Sequence, residues 1–164
     1  GRSFPDLFGE RWQEAAEIYF KAYEDRHLEN LIETPGAGEM LAELAGAGLY
    51  LAVVSNKTGR YLRQEAAHLG WSDYFGRLVG AGDAARDKPS PEPVGMALSG
   101  SEIAAGPEVW FVGDNEIDME LAHECGCVPV LLGNGGHADG VFSDHPPALE
   151  LDDCAALARL IGGR

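Results

Sequence analysis

An α/β fold built on a doubly wound parallel sheet is what the 164 residues predict. Three observations carry that expectation. Short apolar runs rich in Val and Leu recur at 49–54, 109–112 and 128–132; segments of helical period separate them; and polar loops follow their carboxyl ends. Apolar residues make up 45% of the chain and charged residues 24%, so a core can be buried. At 17.5 kDa the chain is sized for one domain with a small appendage.

The elements follow in order. Residues 10–31 place Trp12, Ala16, Tyr19, Tyr23, Leu28 and Leu31 near helical spacing, predicting one long amphipathic helix. Thr34-Pro35-Gly36 breaks it, and Met40, Leu41, Leu44 and Ala45 mark a second helix that stops in Gly46 and Gly48. The run 49–54 is too short for a helix and predicts a strand buried on both faces, ending in the loop Ser55-Asn56-Lys57-Thr58-Gly59. A helix with Tyr61, Leu62, Ala66 and Leu69 on one face is closed by Gly70, and a short strand is expected at 77–80. Pro89, Pro91 and Pro93 open the next helical stretch, since proline is tolerated only in a first turn. The strand at 109–112 runs into Gly113-Asp114-Asn115-Glu116-Ile117-Asp118. A helix at 118–124, a strand at 128–132, the glycine-rich loop 133–140, a weak strand near Leu149 and a helix at 155–161 complete the alternation.

Charge and cysteine usage narrow the function. Lys and Arg number 12 against 27 Asp and Glu, a net charge of −15 whose field repels nucleic acid and anionic membrane surfaces. Cys125, Cys127 and Cys154 form neither a disulfide framework nor a Cys-x-x-Cys metal pair, which fits reduced thiols in a cytoplasm. No apolar run approaches the roughly 20 residues that span a bilayer, and no signal segment opens the chain. A soluble, cytoplasmic protein is expected. Residue 1 is Gly and the first methionine is Met40, so a trimmed, processed or partial chain is expected as well.

In doubly wound sheets ligands bind beyond the carboxyl ends of the strands, which directs attention to the loops after the two strongest runs. After the first, Ser55 and Asn56 offer a hydroxyl, an amide and backbone N–H groups as an anion cradle; Ser55 or Thr58 serves equally as an ordinary helix N-cap. After the second, Asp114 and Asp118 lie on one side of a helical turn, two hard oxygen ligands suited to Mg²⁺. The alternative makes Asp114 the cap and Asp118 a solvated first-turn acid. Lys88 is a cation placed to neutralise a phosphate, or else an exposed partner of Asp87. Gly133-Asn134-Gly135-Gly136 reads as turn chemistry, and the histidines His27, His68, His123, His137 and His145 show no ligand spacing.

The order of these signals is more restrictive than any one of them: apolar strand then Ser-Asn-Lys, later Asp-Lys-Pro-Ser-Pro-Glu-Pro, then apolar strand and Gly-Asp-Asn-Glu-Ile-Asp. It resembles the haloacid dehalogenase superfamily, and Pro35-Gly36 with Leu51-Ala52-Val53-Val54-Ser55-Asn56-Lys57 is similar to its phosphoglycolate-phosphatase-like branch. The resemblance implies hydrolysis of a small phosphorylated metabolite through an aspartyl-phosphate, with Mg²⁺ as cofactor. It implies that Ser55 and Asn56 bind the transferring phosphoryl group, that Lys88 holds nucleophile and phosphate together, and that Asp114 ligates the metal while Asp118 binds metal-bound water or orients the loop. It also implies that residues 1–33 are the remnant of a cap domain and 34–164 the core. The superfamily's Asp-x-Asp-x-Thr string, which supplies the nucleophile on a central first strand, occurs nowhere in the 164 residues. The expectation is a core without that strand, the strand's place being between those ending at Ser55 and Gly113. The other readings are a non-catalytic binding or regulatory module and a haloacid dehalogenase proper, whose chemistry needs no metal.

Overall fold

The computed structural model describes residues 31, 34–133 and 137–162. The helix expected over 10–31, with its aromatic stripe, lies outside the described residues but for its last position. The chain divides after Ile32, and all that follows concerns the second unit, Glu33–Arg164.

Its described residues form five α-helices and five strands, which alternate except where the fifth strand follows the fourth directly. They are α1 Ala37–Gly46, β1 Ala52–Thr58, α2 Gly59–His68, a 3₁₀ turn Ser72–Tyr74, β2 Arg77–Ala81, α3 Glu92–Leu98, β3 Trp110–Gly113, α4 Glu116–Glu124, β4 Val128–Leu132, β5 Leu149–Leu151 and α5 Cys154–Gly162. Of the residues marked by spacing, α1 buries Leu41 and Leu44 and α2 buries Tyr61 and Ala66, while Met40, Ala45, Leu62 and Leu69 stay half-buried; α5 buries Leu157 and Ala158. Pro93 lies in the first turn of α3 and Pro91 caps it, where a missing N–H costs nothing. Met119, Leu121 and Val130 are the largest fully buried side chains, at the packing of α4 on β3 and β4.

Every strand pair is parallel, as the alternation requires, but the strands form two sheets rather than one. β1 pairs with β2 through Ala52↔Arg77, Val53↔Leu78 and Val54↔Val79. β4 is central to the other sheet, pairing Trp110↔Val128 with β3 and Val130↔Leu149 with β5. Among the described strands none lies beside the facing edges of β1 and β3. An apolar groove runs there instead, lined by Val53 and Val54 of β1, Trp110 and Val112 of β3, and Val94 and Ala97 of α3. It continues into a second lobe of about 320 Å³ against Leu44 of α1 and Leu157 of α5. Val112, in the middle of β3, is consequently 38% exposed.

The groove explains the clearest departure from the sequence reading. The expected strand at 49–54 is displaced: Leu49, Tyr50 and Leu51 precede β1 and line the groove, and β1 continues through Ser55 to Thr58. Pairing, not apolarity, sets its limits, because Thr58 meets Ala81 after a register shift beyond Val54. Nor is β1 buried on both faces; its first four residues are half-buried and the last three exposed.

Candidate active site

The carboxyl ends of β1 and β3 open onto a pocket of about 1010 Å³, large enough for a small metabolite. Ser55, Asn56, Lys57, Lys88, Asp114 and Asp118 all line it. Asp152, Asp153 and Cys154, at the start of α5, line it too. These three escaped the sequence reading because β5 has only three residues and reads as a weak strand. Applying the carboxyl-end rule to that strand as well would have found them.

At the centre is a buried ion pair. Lys88 Nζ donates to Asp118 Oδ1 at 2.7 Å, with the two side chains 9% and 8% exposed. Asp87 is not its partner, since Asp87 Oδ1 accepts from the Gly82 N–H at 2.9 Å and so tightens the loop that delivers Lys88. Asp118 is likewise no solvated acid: its Oδ2 accepts from the Asp114 N–H at 3.2 Å. Asn115 takes the capping role considered for Asp114, its Oδ1 accepting from the Asp118 N–H at 3.0 Å. A Cβ at Gly113 would collide with the Asp118 carboxylate, so glycine there is a condition of the arrangement. Lys88 follows β2 and Asp118 belongs to α4, so the pair bridges the two sheets.

Around this pair the loops are tied by polar contacts. The Ser55 hydroxyl accepts from the Lys57 N–H at 3.1 Å, a turn bond; it does not cap α2, and neither does the Thr58 side chain. Lys57 Nζ pairs with Glu65, a buried carboxylate on α2. Behind them Asp83 accepts from both terminal nitrogens of Arg63, at 2.7 and 3.2 Å, and from the Gly80 N–H at 2.8 Å. The hydrogen bonds from Arg63 chiefly hold the Asp83 carboxyl below the usual range. Burial, and then the neighbouring Asp153, pushes the Cys154 thiol up, so the thiol itself adds no charge to the wall at neutral pH.

Asp114 presents an exposed carboxylate whose one described side-chain partner is the Asn115 amide at 3.3 Å. No group of three His, Cys, Asp or Glu side chains among the described residues forms a metal cage. Both oxygens of Asp118 are engaged, so Asp114 is the available carboxylate at the carboxyl end of β3, with Asp152 and Asp153 on the pocket wall beyond β5. That fits Mg²⁺, which takes one or two carboxylates and completes its octahedron with water and phosphate oxygens.

Two parallel sheets flanked by helices, with Ser-Asn-Lys at the carboxyl end of β1 and a buried Lys–Asp pair beside that of β3, define a doubly wound α/β core with its pocket at the strand ends. The chain belongs to the haloacid dehalogenase-like hydrolase family, whose model matches residues 2–131. It is 35% identical over 124 residues to a phosphoglycolate phosphatase of Pectobacterium atrosepticum, covering 76% of this chain and 53% of that one. A phosphoglycolate phosphatase of Pseudomonas fluorescens is 29% identical over 143 residues, covering 87% and 52%. The chain thus spans about half the length of these relatives. Among solved structures, a haloacid dehalogenase-superfamily hydrolase from Ehrlichia chaffeensis matches with TM-score 0.69 and 34% identity, covering 96% of this chain and 71% of that one. A predicted phosphoglycolate phosphatase from Haemophilus somnus 129pt matches with TM-score 0.78 and 25% identity, covering 94% and 68%. No helix among the described residues is long and apolar enough to cross a membrane.

Proposed function

We propose that the complete protein is a Mg²⁺-dependent phosphatase that hydrolyses a small phosphate monoester through an aspartyl-phosphate, the nucleophile being carried by a strand outside these 164 residues. The observation that carries this reading is the Lys88–Asp118 pair, buried at the pocket between the carboxyl ends of β1 and β3. A buried lysine costs free energy unless it is paired, and one that also lines a pocket is placed to meet an anion. Residues 1–33 are read as the remnant of a cap and 34–164 as the core that receives the strand.

In this mechanism Ser55 and Asn56 hydrogen-bond the phosphoryl oxygens, and Lys88 neutralises charge as the bond to the leaving oxygen breaks. Asp118 holds the Lys88 ammonium in place. Asp114 would hold Mg²⁺, which supplies Lewis-acid stabilisation of the phosphoryl oxygens. The apolar groove has the character a nucleophile-bearing strand needs, since a parallel strand in a two-sided sheet is apolar on both faces and would end at the pocket as β1 and β3 do. The test is hydrolysis of a generic phosphate ester by the full-length protein with Mg²⁺. Lys88→Met should lower turnover strongly and Lys57→Met much less. Equal effects, or the reverse order, would remove Lys88 from the mechanism.

A further inference from the structure

Two cations line the pocket among its described residues, Lys57 and Lys88. Lys88 is paired with Asp118 and is assigned to the transferring phosphoryl group in the reading above. The remaining ionisable wall is acidic, with Asp114, Asp152 and Asp153 all exposed, so a ligand with a second negative group would be repelled along most of it. Lys57 is the exception. Its side chain is 39% exposed, but its ammonium is not loose: the Glu65 carboxylate that holds it is only 11% exposed and fixed on α2. An ammonium has three N–H donors, and Glu65 accepts one, so two can serve a ligand from an oriented position. Lys57 also lies two residues beyond Ser55 in the turn closed by the Ser55 hydroxyl, so it is held close to the proposed phosphoryl site.

We propose that Lys57 is a specificity-determining residue that binds a second anionic group, a carboxylate, on the leaving-group side of the substrate, and that Glu65 is the positioning residue that aims it. This deepens the phosphatase reading and rests on it. The preferred substrate is then a short phosphate ester carrying a carboxylate, and a neutral ester of equal size is the poorer one.

The experiment compares 2-phosphoglycolate with ethyl phosphate in the full-length protein with Mg²⁺. Both kcat/KM and calorimetric affinity are measured, the second without reliance on turnover. Lys57→Met should lower the ratio of the two kcat/KM values about tenfold to a hundredfold, the span of one charge-assisted hydrogen bond. The loss should fall in KM and in affinity for 2-phosphoglycolate, and Lys57→Arg should restore most of it. Glu65→Gln should shift the same ratio by a smaller factor. A ratio that Lys57→Met leaves unaltered, or an equal loss on both ligands, overturns the assignment of Lys57 while the phosphatase reading stands. Wild-type protein that binds both ligands and hydrolyses neither overturns the phosphatase reading, and the affinity ratio still decides the role of Lys57.

Discussion

Replacing Asp118 by Ala would leave the Lys88 ammonium, 9% exposed, without its counter-charge, and the Asp114 N–H without its acceptor. Removing one partner of a buried pair costs about 3–5 kcal/mol, because the remaining charge can neither pair nor reach water. For a protein of 150–250 residues 1 kcal/mol moves Tm by about 2–4 °C, so a fall of about 6–20 °C is expected. Lys88→Met strands the Asp118 carboxylate in the same way and should cost a similar amount. The double variant removes both charges, and its cost should be no greater than that of either single change, whereas independent sites would add to within about 0.5 kcal/mol. Urea unfolding of the full-length protein and its three variants gives the coupling directly. Additive losses, or single variants that each cost less than about 1 kcal/mol, would refute the view that this pair is buried and mutually dependent.

Asp114→Asn in the full-length protein should lower hydrolysis by about 10² to 10⁴, the loss of several kcal/mol of metal stabilisation at about 1.4 kcal/mol per decade. Its melting temperature should barely move, because Asp114 is exposed; calorimetry and a steady-state assay check both. The Asp83–Arg63 pair lowers the folded-state pKa of Asp83, so its stabilisation is fully present above the ordinary carboxyl value of about 4 and is lost as pH falls through the lower folded value. Melts from pH 6 downward should therefore show an acid-side loss of stability that Asp83→Asn flattens. Residues 1–164 expressed alone should hydrolyse no ester and associate through the edges of β1 and β3 that have no partner among the described strands, while extension by the proposed nucleophile-bearing strand should give a cooperative melt and activity. Light scattering and a phosphatase assay on the two lengths decide this.

Much of the fold could be read from local pattern, and the failures have one cause. The strand Val128–Leu132 was legible to the residue, because an apolar run bounded by Cys127 and Gly133 has a neighbour on each side to pair with. β1 was misplaced by three residues at its start and four at its end, because Leu49 and Leu51 are apolar for the groove and not for a ladder. Spacing put Asp114 and Asp118 on one side of a turn but could not say which would be buried. That depends on Lys88, thirty residues earlier in the chain. Glu65 was equally hidden: nothing in a helical pattern marks a glutamate as buried until Lys57 is known to lie against it. Periodicity reports the face a residue occupies, and the identity of its partner is a tertiary fact.

The bonds inside the site also separate what is already formed from what must be supplied. Lys88, Asp118, the Asp114 N–H and the Asn115 cap are bonded to one another within the described residues, so this side of the pocket is held by its own contacts. Ser55 and Lys57 stand on the other sheet, held by a turn bond and by Glu65. The groove divides the β1 side of the pocket from β3, and the ion pair is a polar link between the two sheets. A strand in that groove would gain hydrogen bonds on both edges and apolar contact with α3, and in doing so would fix the distance from Ser55 to Asp114. On the reading proposed above, completing the sheet and assembling the phosphate site are thus one event, because Ser55 and Asp114 are held on either side of the place where the nucleophile would enter.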